Sequence, residues 1–203
     1  MTEQPEDFRT RVLDGAVRVL LDGGFGSDRL HSAIAREAGL SRPTVYKYGG
    51  TLEEIRAAVI ARELAGLLEG VAEALTPTRF DADYLIELLA TLVDYAQHMP
   101  LLEAALRDIP DQVLSLLTLH ADVVMDQVRL VGQPHFDAIV ARGELTEEEA
   151  ELTLDFVARL AISLVLIRTG HPTLGKDQLR AYLEGVFAVV VKAGGRRPRR
   201  RTA

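Results

Sequence analysis

Residues 30–50, LHSAIAREAGLSRPTVYKYGG, constrain this chain more than any other stretch, because their types fall where two short helices joined by a tight turn need them. Ile34, Ala35 and Ala38 lay an apolar stripe along the first helix, and Gly39 follows where the backbone must turn into a conformation that glycine adopts without penalty. Leu40 plugs the corner. Ser41 offers a side-chain oxygen to cap a second helix, and Pro43 falls in its first turn, where a missing N–H costs nothing. On that second helix Val45 and Tyr48 form the inward pair, which leaves Arg42, Thr44, Tyr46 and Lys47 pointing outward. Arginine forks to guanine in a major groove, threonine meets a base edge or a thymine methyl, and lysine and tyrosine suit phosphate oxygens. The pattern is that of a helix-turn-helix whose second helix faces DNA. The plain alternative makes Arg42 and Lys47 solvated surface charges and Tyr46 a half-buried core residue.

The flanking sequence predicts helices throughout. Phe8, Val12, Ala16, Val19 and Leu20 recur at helical spacing over 6–23, the double glycine at 23–24 ends that run, and Phe25 tucks back beneath it. Thr51 and Glu54 make a capping box for a long helix that runs to Thr76-Pro77. Further helices are predicted from Phe80 to about Tyr95, over 101–107, and from Asp111 to about Gly132, with at most one short turn over 134–143; each break is assigned to a proline or a glycine. A second capping box, Thr146 with Glu149, opens a helix at about 147–169 that becomes apolar on nearly all sides. The last, at about 176–193, carries Leu179, Leu183, Val186, Phe187 and Val190 on one face. No segment alternates as a strand does. The expected fold class is all-α, with an N-terminal three-helix helix-turn-helix domain at 1–50, a larger helical domain at 51–194 and a basic tail at 195–203. The two final helices are more apolar than one subunit covers, so a four-helix interface between two copies is expected.

The net charge of −7 argues against a nucleic-acid partner until its distribution is considered. Residues 1–50 hold seven Lys/Arg against seven Asp/Glu, whereas residues 51–191 hold 10 basic and 23 acidic side chains. A neutral head can approach DNA while the acidic body stays clear of it. Cysteine is absent, which excludes disulfides and thiolate metal sites and is compatible with a reducing cytoplasm. The acidic, polar N-terminus is not expected to be a signal peptide, and the longest apolar run falls far short of a membrane span of roughly 20 residues. The five histidines lack zinc spacing, no catalytic constellation stands out, and neither a metal nor a cofactor is expected. RRPRRR, at 196–201, reads as a disordered solubilising end or as a contact for phosphates or an acidic partner.

The IAREAGLSRPTVYKY core, within residues 8–60, resembles the TetR family of transcriptional regulators. The resemblance implies that Ser41, Arg42, Pro43, Thr44, Tyr46, Lys47 and Tyr48 contact DNA. It also implies a homodimer that joins through the helices at about 147–169 and 176–193, binds a double-stranded operator and responds to a small-molecule effector. An effector site in such a body is mostly apolar, and Tyr84, Leu88, Tyr95, His98, Met99, Leu117, His120 and Met125 are its candidate lining, for an apolar or amphipathic ligand. One departure stands out: the family commonly has an aromatic residue after the tyrosine corresponding to Tyr48, and this chain has Gly49-Gly50. Tyr48 is then either a phosphate contact or a packing residue turned inward to replace the missing ring. The alternative function is a helical ligand-binding or interaction protein whose DNA-binding head is weakened or lost.

Overall fold

The computed structural model describes residues 5–25, 29–75, 79–167 and 175–194. The expected stop at Thr76-Pro77, the final residues of the helix expected over 147–169 and the basic tail at 195–203 lie outside them. Among the described residues the chain is all-α, with no strand. The helices are α1 (Pro5–Gly23), α2 (Leu30–Glu37), α3 (Arg42–Gly49), α4 (Leu52–Ala74), α5 (Ala82–Gln97), α6 (Pro100–Asp108), α7 (Pro110–Leu117), α8 (Asp122–Ala141), α9 (Glu147–Leu166) and α10 (Lys176–Gly194). They fall into two compact units, Met1–Glu69 with Gln97–Val131, and Gly70–Ala96 with Gly132–Ala203.

The first unit is built on one core. Val12, Leu13, Ala16 and Leu20 of α1 meet Leu30, Ile34 and Ala35 of α2, Val45 of α3, and Ile55 and Val59 of α4. Phe25, beyond the glycine pair, is fully buried under them. The same core takes in Leu101, Ala104 and Ala105 of α6 and Val113 of α7, so the helix-turn-helix packs on more than its own three helices. Asp108 fixes that junction: its carboxylate accepts the Phe25 N–H at 3.2 Å, while the Arg56 guanidinium donates to the Phe25 carbonyl. A hydrogen bond from Arg107, helped by the one from Phe25, holds the Asp108 carboxyl below its ordinary range. Asp14 and Arg62, bridged at 2.8 Å, tie α1 to α4.

In the second unit α5 buries Ile86, Leu88, Leu89 and Val93, α9 buries Leu154, Val157 and Val165, and α10 buries Leu179 and Leu183. Glu87 of α5 accepts from both Lys176 and Arg180 of α10 at 2.7 Å, and the bond from Lys176 chiefly lowers its pKa. Thr146 and Glu149 form the predicted capping box at the start of α9, in both directions.

One expectation about segmentation is corrected. The helix predicted from Asp111 to Gly132 is two helices, and the break lies at 118–121, where there is neither proline nor glycine. Polar side chains compete there with the helix ladder. Thr118 Oγ1 donates to the Leu114 carbonyl, the His120 N–H reaches back to the Ser115 carbonyl at 2.9 Å, and Ser115 Oγ lies 3.0 Å from His120 Nδ1. Conversely, Pro134 ends nothing and lies inside α8. The carbonyl deprived of its donor belongs to Leu130, an exposed residue, so water can take that bond.

Candidate nucleic-acid interface

The turn between α2 and α3 is closed by backbone geometry that the sequence demands. The Leu40 N–H reaches the Ala35 carbonyl at 2.9 Å and the Gly39 N–H the Arg36 carbonyl at 3.3 Å, with Gly39 at φ 63°. This is a Schellman closure, and a residue with a Cβ at Gly39 is strained in it. Arg11 of α1 donates to the Ala38 and Gly39 carbonyls at 3.0 and 3.2 Å, pinning the corner to the first helix. Ser41 then caps α3 as expected: its Oγ accepts the Thr44 N–H at 3.2 Å and lies 2.7 Å from Thr44 Oγ1, and Pro43 sits in the first turn.

Within α3 the faces divide as the period predicts. Val45 and Gly49 are buried; Arg42, Pro43, Tyr46 and Lys47 are exposed and Thr44 is half-buried. No carboxylate bridges Arg42 or Lys47 among the described residues, whereas Arg18 and Arg62 are each paired with an acid. The outward face therefore keeps its positive charge. Tyr46, 52 % exposed, projects beside a hollow of about 380 Å³ lined by Arg29, His31, Ser32 and Arg42, with Thr51 and Leu52 at the start of α4.

Tyr48 turns inward. Its ring stacks on Phe8 of α1 at 4.9 Å, its carbonyl accepts from Arg9 at 3.3 Å, and the Lys47 ammonium lies 5.0 Å from its ring centroid. Gly49-Gly50 leaves no gap where the family's aromatic would stand. A methyl group on Gly49 would lie 2.8 Å from Val12 Cγ1 and 3.0 Å from Ile55, so α1 and α4 already fill that space. Gly50, at φ 79°, reverses the chain directly into the Thr51–Glu54 capping box. The Thr51 bonds, backbone first, hold the Glu54 carboxyl below its ordinary range.

A residue outside the expected set joins this surface. His31 is buried on the inner stripe of α2, donates from Nε2 to the Gly50 carbonyl at 3.2 Å, and stacks on Tyr46 with centroids 4.0 Å apart. Its spacing of three and four residues from Ile34 and Ala35 places it on that stripe by period alone.

The eight residues expected to line an effector site divide between the two units. Tyr84, Leu88 and Tyr95 belong to one and His98, Met99, Leu117, His120 and Met125 to the other. Leu88 and Met125 are buried core, Met99 and Leu117 are partly buried, and Tyr95, His98 and His120 are exposed. Tyr84 is half-buried; its hydroxyl meets His135 Nε2, and burial pushes the phenol up to about 12 and the imidazole down. Among the described residues there is no cluster suited to a metal ion, and no helix is long and apolar enough to cross a membrane.

No protein-family model matches the chain. Over 93 residues, 46 % of this chain and 42 % of the other, it is 28 % identical to the HTH-type transcriptional activator FasR of Mycolicibacterium smegmatis, so less than half of that relative is matched. The fold is similar to the TetR family repressor AlkX of Dietzia sp. (TM-score 0.64, 20 % identity, 91 % of this chain and 95 % of that one). It is also similar to the TetR-family transcriptional repressor QsdR of R. erythropolis (TM-score 0.65, 14 % identity, 90 % and 95 %). A TetR-like regulator from Rhodococcus sp. RHA1 is similar over 95 % of this chain at a TM-score of 0.51 and 22 % identity. The chain carries the TetR-family fold, over nine-tenths of its length.

Proposed function

We propose that this chain is a cytoplasmic transcriptional regulator that binds a pseudopalindromic DNA operator as a homodimer and releases it when a small apolar or amphipathic effector binds. The observation that carries the reading is the division of α3, with Val45 and Gly49 inside and Arg42, Thr44, Tyr46 and Lys47 outside, on a helix held at both ends. In this role residues 1–50 are the DNA-binding head and 51–194 the effector-binding and dimerisation body. Arg42 and Thr44 read base edges; Ser41, Pro43, Tyr46 and Lys47 set the helix against the backbone. Tyr48 acts through Phe8 as packing for the end of α3. Repression is favoured over activation because AlkX and QsdR are described as repressors, while FasR, matched over a shorter stretch, is described as an activator. An effector releases DNA only by as much as it prefers one of two head spacings over the other.

The rival, a helical binding protein with a lost head, draws on Gly49-Gly50 and on the acidic total charge; the close approach of Gly49 to Val12 and Ile55, and the even charge balance of residues 1–50, favour the regulator. Selection of duplexes from a random library, followed by salt-dependent gel shifts, tests the reading. The expected product is an inverted repeat with half-sites about 34–36 Å, or a multiple of that, apart. Binding to the selected duplex no tighter than to random DNA at moderate salt sinks it.

A further inference from the structure

We infer that His31 is a positioning residue for DNA recognition, whose ring sets the orientation of Tyr46 before DNA arrives. The inference rests on α3 being the recognition helix, and it concerns a residue of α2 whose side chain is almost wholly covered. His31 is 8 % exposed, and apart from Thr91 it is the one buried polar residue among those described. A leucine or valine would fill its place beside Ile34 and Ala35 without burying a polar ring. What the imidazole supplies instead is two directed contacts. Its plane lies 14° from that of Tyr46 with centroids 4.0 Å apart, and its Nε2–H points to the Gly50 carbonyl, which can only accept.

Those contacts bind the middle and the end of α3 to the start of α2. A tyrosine on an exposed helix face samples several rotamers, and a flat ring beneath it selects the one that keeps the faces parallel. The ordering cost of Tyr46 is then met in folding, and less of it remains to be met on binding. The bond to Gly50 holds the imidazole in the plane that the stack requires. It also satisfies a carbonyl at the helix end, where no intrahelical donor is available. Tyr46 is thereby held at the rim of the hollow that Arg29, Ser32 and Arg42 line, a basic recess of the kind a backbone phosphate enters.

A double-mutant cycle tests the role. His31→Phe keeps a ring and loses the bond to Gly50, His31→Gln keeps a donor and loses the ring, and each is made in the wild-type and in the Tyr46→Ala background. Affinity is measured by fluorescence anisotropy on the tightest duplex that the full wild-type chain selects from a random library, with thermal unfolding followed in parallel. His31→Phe is expected to lower thermal stability and to lose less affinity than His31→Gln, because it keeps a ring beneath Tyr46 but not the bond that fixes the plane of that ring. His31→Gln is expected to lose about three- to tenfold in affinity, the range of one aromatic stack, and to lose nothing further once Tyr46 is alanine. An equal loss from His31→Gln in both backgrounds, or wild-type affinity in His31→Gln, overturns the positioning role and leaves the DNA reading standing. A wild-type chain that selects no duplex overturns both.

Discussion

Tyr48 stacks on Phe8 with ring centroids 4.9 Å apart and planes 17° apart, so the last turn of α3 is tied to the first turn of α1 across forty residues of sequence. The tie engages the ring and not the hydroxyl, the group that a phosphate contact would use. The phenol oxygen contributes nothing to a stack. Tyr48→Phe should therefore keep both thermal stability and DNA affinity, while Tyr48→Ala should cost about 1–2 kcal/mol in unfolding free energy. Chemical denaturation of the two variants checks this. A loss of DNA affinity in Tyr48→Phe at unchanged stability would return Tyr48 to the set that touches DNA.

Gly49 makes the complementary case, because at that position the space, not the ring, is what packing uses. A methyl group there meets Val12 Cγ1 at 2.8 Å and Ile55 at 3.0 Å, and all three belong to helices of one core. Gly49→Ala is expected to destabilise by about 1–3 kcal/mol, as overpacking a close-packed core does. The measurement is the denaturant midpoint at unchanged slope. A stability equal to wild type would mean that α3 can slide away from α1 and α4 at no cost.

How much of this was legible in the sequence depends on how far each signal reaches. The glycine turn, the Ser41 cap and both capping boxes are made by residues at most five apart, and all stand where the sequence places them. The break at 118–121 is not legible, because Thr118, Ser115 and His120 make it through side-chain bonds and neither proline nor glycine marks it. Pro134 is the converse case, since a proline is tolerated inside a helix where the orphaned carbonyl is near water. His31 was half legible: its period puts it inside, but its partners Tyr46 and Gly50 lie on another helix and at its end. Nothing in the apolar stripes of α6 and α7 says that they pack on the core of the helix-turn-helix, and nothing in Tyr84 says that His135 meets it. Such pairings need the fold.

The capping box that starts α4 gives a pH dependence whose sign follows from Glu54. Its carboxylate accepts the Thr51 N–H at 2.7 Å, and that bond, with the one to the Thr51 side chain, lowers its pKa in the folded chain. The unfolded chain therefore binds the proton first as pH falls, and the cap's contribution is present above the ordinary carboxylate pKa of 4.5 and lost as pH drops through the lower folded value. Glu54→Gln can still accept the N–H but carries no charge. Its melting temperature should lie below wild type at neutral pH, and the gap should close in acid. A gap of constant size from neutral pH to below 4.5 would show that the charge is not what stabilises this helix start.

The last two helices each expose a second apolar stripe, and this determines how a dimer should respond to a charge. On α10 the spacing of Leu179, Leu183 and Phe187 puts them on one face, and the first two are almost fully buried. Tyr182, Val186, Val189 and Val190 follow a second stripe at intervals of four, three and one, and Val189 is 67 % exposed. On α9, Leu152 and Phe156 stand four apart and are exposed in the same way, Leu152 at 64 %. Exposed apolar stripes on two elements that neighbour in sequence are what a partner copy would cover. Val190→Asp places a carboxylate on the α10 stripe at a position that costs the single protomer nothing, because it already faces water. In a dimer built on that stripe the charge would be buried without a partner, which costs several kcal/mol for each of the two copies. For the homodimer proposed above, light scattering should then report a larger share of monomers in Val190→Asp than in the wild type at equal concentration, with helix content unchanged. Affinity for a two-half-site duplex should fall toward that of one head, while binding to a single half-site is preserved. A variant that remains dimeric would place the interface on another face of the body.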